Sequence, residues 1–163
     1  MAKRSAGLLM YRWGREGLQV LLVHPGGPFW KHRDEGAWSI PKGEVNPDEP
    51  LLQAAMREFR EETALSPRGP FLSLGAVRLS GGKRVHAWAF EGDCDPKQIH
   101  SNTFEVQWPP HSGRLVTFPE VDRAAFYTMA GARCALHPAQ APLLDRLLER
   151  LGAEDGREPP SSE

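Results

Sequence analysis

Residues 43–65 read GEVNPDEPLLQAAMREFREETAL, and this stretch contains the pattern that decides the fold. The prolines and acids of residues 46–50 are helix-start signals, so the sequence predicts a helix from about Leu51 to Thr63. Apolar residues recur along this helix at positions i, i+3, i+4 and i+7, which places them on one face: Leu52, Ala55, Met56 and Phe59. We expect this face to pack on a β-sheet.

The acidic residues of the same helix form a second face. Glu58, Glu61 and Glu62 occupy positions i, i+3 and i+4, which point the same way and away from the apolar face. Like charges at this spacing destabilise an isolated helix by roughly 0.2–0.5 kcal/mol per pair and raise one another's pKa. Oxygen-only ligands suit magnesium or manganese better than zinc, so a divalent-metal site is one hypothesis. The alternative is a solvated face paired with Arg57 and Arg60.

The spacing around this helix carries a family resemblance. Gly43 is followed after five residues by Glu49, and after seven more by the run 57–62, Arg-Glu-Phe-Arg-Glu-Glu. This series resembles the Nudix box, which continues with one spacer, a glycine and an apolar residue. The chain carries Ala64 at that glycine position, where a positive φ would cost alanine about 1 kcal/mol. The departure concerns the turn after the helix and leaves the acidic face intact.

The resemblance to the Nudix hydrolase family, the MutT-like pyrophosphohydrolases, implies a fold and an activity. The expected fold is α/β, a Nudix-type α/β/α sandwich with a mixed central sheet. The expected reaction is metal-dependent hydrolysis of the pyrophosphate linkage in a nucleoside diphosphate derivative, by attack of metal-activated water. The implied cofactor is Mg²⁺, with Mn²⁺ as a substitute.

The substrate class is narrowed by the residues just before the box. Residues 40–43, Ile-Pro-Lys-Gly, resemble the opening of members that cleave dinucleoside polyphosphates or diphosphoinositol phosphates. Dinucleoside polyphosphates and nucleoside triphosphates are therefore the favoured substrates. Two other hypotheses for the function stay open: a catalytically weak nucleotide- or RNA-binding module on the same fold, and a scaffold protein whose acidic helix is simply solvated.

By this resemblance, the carboxylates share the metal chemistry. Glu61 and Glu62 are expected to bind metal, and Glu58 to act as a further ligand or as the base for the attacking water, with these roles open to exchange. Many family members draw another acidic ligand from outside the box. The preferred candidate here is Glu105, and the alternatives are Glu91, Asp93 and Glu120.

Four positions in and beside the box have supporting roles that the resemblance implies. Arg57 would orient the carboxylates through an i,i+4 contact with Glu61. Glu49 would hold the loop and the start of the helix. Gly43 would let the loop backbone come close to the metal, and Lys42 would offer its backbone carbonyl oxygen.

Substrate contacts are expected from cationic and aromatic residues outside the box. On the hairpin after the helix, the candidate phosphate contacts are Lys83, Arg84 and His86. In the long glycine- and proline-rich loop of residues 25–36, they are Lys31, His32 and Arg33. Trp30 or Trp38 could stack on a base. For all of these, an ordinary solvated charge or a core aromatic is the competing interpretation.

The rest of the chain is predicted to complete one domain over residues 1–151. The expected strands are 6–13 and 18–24 as a hairpin, 38–40 followed by a turn at 41–43, 71–79 and 83–90 as a second hairpin, and 103–108 with 114–118. A leucine-rich helix is expected to end at Gly152. Residues 152–163 are predicted to be a disordered tail.

Composition bounds the function classes. The 163 residues carry 20 Lys plus Arg against 21 Asp plus Glu, so no overall basic excess attracts DNA or a membrane surface. We therefore expect a small-molecule nucleotide or polyphosphate partner, handled by a local site, and leave the oligomeric state open. The longest apolar run is far short of the ~20 residues that cross a bilayer. Two cysteines, Cys94 and Cys134, suggest reduced thiols in the cytoplasm.

Overall fold

Residues 3–152 are described by the structure, a computed structural model. The strands and helices of this part of the chain follow in this order: β1 Arg4–Gly14, β2 Gly17–Pro25, β3 Lys42–Glu44, α1 Leu51–Thr63, β4 Leu72–Arg78, β5 Arg84–Glu91, β6 Thr103–Gln107, β7 Leu115–Pro119, β8 Val121–Thr128, α2 Met129–Ala135 and α3 Pro142–Leu151. Short 3₁₀ turns at residues 80–82, 96–98 and 138–140 join some of them.

A mixed sheet forms the centre of the molecule, with the strand order β4-β5-β1-β2-β8. β1 and β5 are parallel, whereas the other pairs are antiparallel. On its other edge, β1 pairs first with β3 and then with β2, because Ser5–Gly7 faces Lys42–Glu44 and Tyr11–Gly14 faces Gly17–Val20. This split brings the start of the box onto the central strand.

Helices cover both faces of this sheet. Successive side chains of a strand point to opposite faces, and the two core clusters divide β1 in that way. Leu8 and Met10 pack with Phe59 of α1, while Leu9 and Tyr11 pack with the side that carries α2 and α3. The prediction of an α/β/α arrangement with a mixed central sheet is confirmed.

A separate two-stranded sheet, β6 with β7, lies outside the central sheet. The long loop after β2 is fastened beside it, because the Gly26 N–H donates to the Glu120 carbonyl at 2.9 Å. The close approach requires glycine: a Cβ on Gly26 would lie 1.9 Å from the Pro119 carbonyl oxygen. β8 follows directly, so the turn at Glu120 is held at the edge of the main sheet.

Two predictions about elements are wrong. Residues 38–40 make only isolated bridges, Ser39 with Val23 and Trp38 with Leu136, and the strand is Lys42–Glu44, where a turn was expected. The apolar residues Trp38 and Ile40 are buried without forming a strand. The sequence also predicts nothing at β8 and α2, since α2 is too short to show a helical period.

The C-terminal helix, α3, is the last element within the described residues. α3 ends at Leu151 and is capped by Gly152, whose φ of 65° lies in the left-handed region, as expected for a glycine after a helix. The rest of the predicted disordered tail, residues 153–163, lies outside the described residues, and the division at 151 stays a prediction. No helix within residues 3–152 is long and apolar enough to cross a membrane.

Candidate functional site

The acidic face of α1 is fixed because its opposite face is anchored in the core. Ala54, Ala55 and Phe59 are fully buried against the sheet. Phe59 also contacts Phe90 of β5 edge to face, with ring centres 5.2 Å apart. Because that face is buried, the helical period turns Glu58, Glu61 and Glu62 toward β3 and the turn before β8.

The Arg57 guanidinium donates hydrogen bonds to several residues of the box. Its Nε and Nη2 donate to the two carboxylate oxygens of Glu49 at 2.8 and 2.9 Å, a bidentate pair. Its Nη1 donates to Glu58 at 2.8 Å and to Glu61 at 3.2 Å, and its Nη2 also donates to the Glu44 carbonyl at 2.9 Å. These hydrogen bonds from Arg57 lower the pKa of Glu49 to about 2. One guanidinium therefore ties the loop to the acidic face.

Gly43 leaves room for the carboxylate of Glu58. A Cβ on Gly43 would lie 2.0 Å from the Glu58 carboxyl carbon and from one of its oxygens. Gly43 stands opposite Ala6 on β1, so the strand cannot move aside easily. Burial, opposed by Arg57, raises the pKa of Glu58, and the neighbouring charge of Glu61 adds to this.

Glu62 points into the protein from the same face. Its Oε1 accepts a hydrogen bond from the Lys42 backbone N–H at 3.2 Å. Burial raises the pKa of Glu62 to about 8, although the Lys42 side chain acts in the opposite direction. Burial likewise lowers the pKa of the Lys42 amine. The contact seen between Lys42 and the acidic face is thus through its amide; the role expected for its carbonyl stays a prediction.

Glu120 joins the site from the turn before β8. A cavity of about 110 Å³ is lined by Glu62 and Glu120, together with Val23, Pro25, Ser39, Lys42 and Val121. Burial and the charge of Glu61 raise the pKa of Glu120. Glu105, the preferred candidate for an acidic ligand outside the box, is exposed on β6 and does not line this cavity. The other two alternatives, Glu91 and Asp93, do not line it either.

A second cavity of about 220 Å³ adjoins the first, and both are lined by Pro25, Ser39 and Lys42. Trp30 and Trp38 border the second cavity. Trp38 is only 3 % exposed, and its ring packs against Tyr127, so most of it belongs to the core. Trp30 is half-buried and is the more accessible of the two rings.

The predicted cationic contacts fall into two groups, one at the start of β5 and one in the loop after β2. Lys83 and Arg84 are exposed near the start of β5, with His86 two residues further along. Lys31 and His32 border another cavity of about 570 Å³ beside Trp108 and Phe118. None of these residues lines the cavity that contains Glu62 and Glu120. Their role as substrate contacts stays a prediction.

The donor chemistry of the acidic face fits a hard divalent cation. Within residues 3–152, no three His, Cys, Asp or Glu side chains stand gathered as a formed metal site. The carboxylates are held by Arg57 and by the Lys42 amide instead. Three of them have a raised pKa, caused by burial and by neighbouring acids: Glu58, Glu62 and Glu120. Carboxylate oxygens are among the hard ligands that suit magnesium and manganese.

The comparison with known families assigns this chain to one family. The NUDIX domain model matches residues 1–147, so the chain belongs to the Nudix family, as the box predicts. The C. elegans Ap4A hydrolase has a TM-score of 0.64 and 21 % identity, and the match covers 91 % of this chain and 98 % of that one. The NUDIX domain of Shewanella oneidensis NrtR, solved with ADP ribose, has a TM-score of 0.65 and 19 % identity, over 93 % and 89 %. At these identities the likeness concerns the fold.

Similarity to curated proteins is local. RNA pyrophosphohydrolases of Xanthomonas campestris and Xanthomonas oryzae are 43 % identical to this chain over 49 residues. That match covers 29 % of this chain and 24 % of each relative. The match therefore spans about a quarter of the length of these relatives.

Proposed function

We propose that this protein is a Nudix pyrophosphohydrolase that cleaves the pyrophosphate linkage of a nucleoside diphosphate derivative with the help of Mg²⁺, for which Mn²⁺ can substitute. One observation carries the proposal: Glu62 of the box shares a cavity with Glu120, and this cavity adjoins a larger one bordered by Trp30. A substrate with its phosphoanhydride beside Glu62 and Glu120 and its nucleobase against Trp30 would occupy both cavities.

The residues that would hold the cation are Glu58, Glu61 and Glu62, with Glu120 beside Glu62 at the same cavity. A bound dication would neutralise the pyrophosphate and lower the pKa of water beside it. Arg57 would keep Glu58 and Glu61 in place through its hydrogen bonds to both. Glu49 fixes the guanidinium from the other side. These contacts support the positioning roles proposed for Arg57 and Glu49.

Proton transfer needs a carboxylate with a suitable pKa near the attacking water. Glu120 is the preferred base, since its pKa is raised and its carboxylate faces the same cavity as Glu62. The water oxygen would bond to phosphorus, its proton would pass to a Glu120 oxygen, and the phosphorus–oxygen bond to the leaving phosphate would break. Glu58 is the other candidate base, although its carboxylate already accepts from Arg57.

The favoured substrates are dinucleoside polyphosphates and nucleoside triphosphates. The Ap4A hydrolase fold and the residues before the box support the first class. The local likeness to RNA pyrophosphohydrolases adds the 5′ end of an RNA as a second candidate. We also propose a cytoplasmic location, which agrees with two free thiols, Cys94 and Cys134.

The test is a panel of nucleotides, incubated with and without Mg²⁺, whose products are resolved by mass. Wild type is expected to release nucleoside monophosphate or phosphate only with the metal. Glu62→Gln and Glu120→Gln are each expected to lose about 100-fold or more in kcat, since each removes a carboxylate from the reacting centre. The exposed turn variant Glu16→Gln serves as the control.

Three outcomes would contradict all or part of the proposal. Equal turnover in wild type and Glu62→Gln would remove the reaction from this site. Loss of activity in Glu105→Gln together with full activity in Glu120→Gln would reassign the outer acid to β6. Tight nucleotide binding without any turnover would favour a binding module.

A further inference from the structure

Three arginines lie side by side on neighbouring strands of the central sheet. Arg4 of β1 stands opposite Arg84 of β5, and Arg78 of β4 stands opposite Arg84 from the other side. Residues directly opposite each other on paired strands share one face of the sheet. Arg4, Arg84 and Arg78 therefore form a continuous line, which we name the arginine row.

The arginine row lies on the same face of the sheet as α1. Trp88 and Phe90, at alternate positions of β5 after Arg84, pack in the core cluster that contains Phe59 of α1. All three arginines are exposed, so the helix does not cover them. His86 follows Arg84 on the same face; burial lowers its pKa first, and the charges of Arg4 and Arg84 lower it further.

The arginine row has no acidic partner within residues 3–152, since none of its members takes part in an ion pair there. Arg57, by contrast, pairs with three carboxylates. Like charges directly opposite on a sheet are destabilising. Among the described residues, the row is therefore a line of positive charge without a paired acid, on a chain whose net charge is −1. A ligand with several negative charges in line would complement it.

The arginine row begins close to the acidic face. Arg4 precedes Ala6 by two residues, and Ala6 stands opposite Gly43, which faces the Glu58 carboxylate. Two residues of strand span about 7 Å, and neighbouring strands lie about 4.8 Å apart, so the row extends for about 10 Å across three strands. A chain of phosphates that starts at the acidic face can continue along it.

We infer that the arginine row binds the phosphodiester backbone of a single-stranded oligonucleotide whose 5′ phosphates lie at the acidic face. This inference rests on the proposed function, and it names a substrate longer than one nucleotide. The contact is with phosphates and carries no base preference. Arg84 is already a candidate phosphate contact from the sequence, and the inference adds Arg4 and Arg78 to it. All three residues would contact the part of the substrate beyond the cleaved anhydride.

The test measures binding without hydrolysis. A short single-stranded RNA with a 5′-hydroxyl has no anhydride to cleave, and its dissociation constant can be followed by fluorescence anisotropy across a range of salt concentrations. For single strands the slope of log K against log salt changes by about 0.7 for each phosphate contact. Arg4→Ser, Arg78→Ser and Arg84→Ser are each expected to make the slope shallower by about that amount, and the triple variant by about 2.

Matched variants separate charge from structure. Arg15→Ser removes an exposed arginine from the turn at the other end of β1 and is expected to leave the slope unchanged. Arg84→Lys keeps the charge and is expected to keep the slope. Since the serine variants relieve repulsion between like charges, their melting temperatures are not expected to fall. A lower melting temperature in Arg84→Ser with an unchanged slope would assign Arg84 a structural role and overturn the inference.

The remaining outcomes also decide the question. An unchanged slope in the triple variant would overturn the inference. So would row-dependent binding of inorganic tripolyphosphate or of anionic lipid vesicles in the absence of RNA binding. Hydrolysis of a nucleoside triphosphate by wild type, with its loss in Glu62→Gln, is measured separately. If that hydrolysis is present and the three serine substitutions do not change RNA binding, the inference about the arginine row is wrong and the proposed function stands.

Discussion

Single atoms decide how closely the acidic face meets the central strand. Gly43 has no side chain at the point where the Glu58 carboxylate lies, and Arg57 holds that carboxylate from the other side at 2.8 Å. The same guanidinium reaches Glu49 and Glu61. The positions of these carboxylates thus depend on one small residue and one large cation.

Gly43→Ala is expected to leave the fold intact and to lower kcat by about tenfold or more. The new methyl group would occupy the place of the Glu58 carboxyl, a side-chain end that can swing away, so the cost falls on the site. Steady-state kinetics and thermal unfolding of the same samples check this. Glu44→Ala, at the exposed neighbouring position, is the control. A variant with wild-type kcat would show that the position of Glu58 does not matter for the reaction.

At the scale of elements, the exit from α1 keeps its geometry without the glycine of the family pattern. Ala64 itself adopts φ 65° and ψ 13°, and its N–H donates to the Arg60 carbonyl at 2.8 Å. Thr63 supports the turn, since its hydroxyl accepts from the Leu65 N–H at 3.1 Å. The replacement of the family's glycine by Ala64 therefore leaves the left-handed conformation of the turn in place, and the cost is backbone strain at the alanine.

Ala64→Gly is expected to raise the free energy of unfolding by about 0.5–1 kcal/mol, because glycine adopts positive φ without the strain of a Cβ. Chemical-denaturant unfolding measures the change. Gln53→Gly, on the exposed side of the same helix, is expected to lower it by about 1 kcal/mol. A loss of stability in Ala64→Gly would show that the alanine Cβ makes a contact worth more than the strain.

At the scale of the whole molecule, the site combines segments far apart in the chain. Glu62 belongs to α1, whereas Glu120 arrives after the two-stranded sheet and is held through the hydrogen bond from Gly26 to its carbonyl. Packing these acids together removes them from water, which disfavours their charged forms. Burial is accordingly the main cause of the raised pKa of Glu62 and of Glu120.

The metal-free protein is expected to lose stability as the pH rises from about 5 to about 8. Over this range folded Glu62, with a pKa of about 8, keeps a proton that the unfolded chain releases near 4.5. The unfolded state then binds fewer protons, so the free energy of unfolding falls by up to about 1.4 kcal/mol per pH unit. Glu62→Gln cannot ionise and is expected to lack this part of the pH dependence. Denaturant unfolding at several pH values, with Glu16→Gln as the control, checks it.

Added Mg²⁺ is expected to stabilise wild type, and the effect to be larger at pH 8 than at pH 6, because the cation requires ionised carboxylates. Glu62→Gln is expected to show a smaller effect. Thermal unfolding with and without the metal measures both. A magnesium effect of equal size in the two proteins would place the bound ion away from Glu62.

The sequence by itself determined the local chemistry: the bounds of α1, its apolar and acidic faces, and the spacing that identifies the family. These depend on the helical period and on neighbours within a few residues, so they can be derived from the order of the residues alone. The hairpin of β1 and β2 is local in the same sense.

Only the tertiary structure decided which distant acid meets the box, where β3 lies, and which arginines stand opposite one another. Glu105 and Glu120 are equivalent as acids in a sequence, and the pairing of the Gly26 loop with the turn before β8 brings Glu120 alone into the cavity. The arginine row likewise depends on the register of three strands, of which β1 precedes α1 in the sequence and β4 and β5 follow it. Contacts between residues distant in sequence are set by how the whole core packs, and no local pattern encodes them.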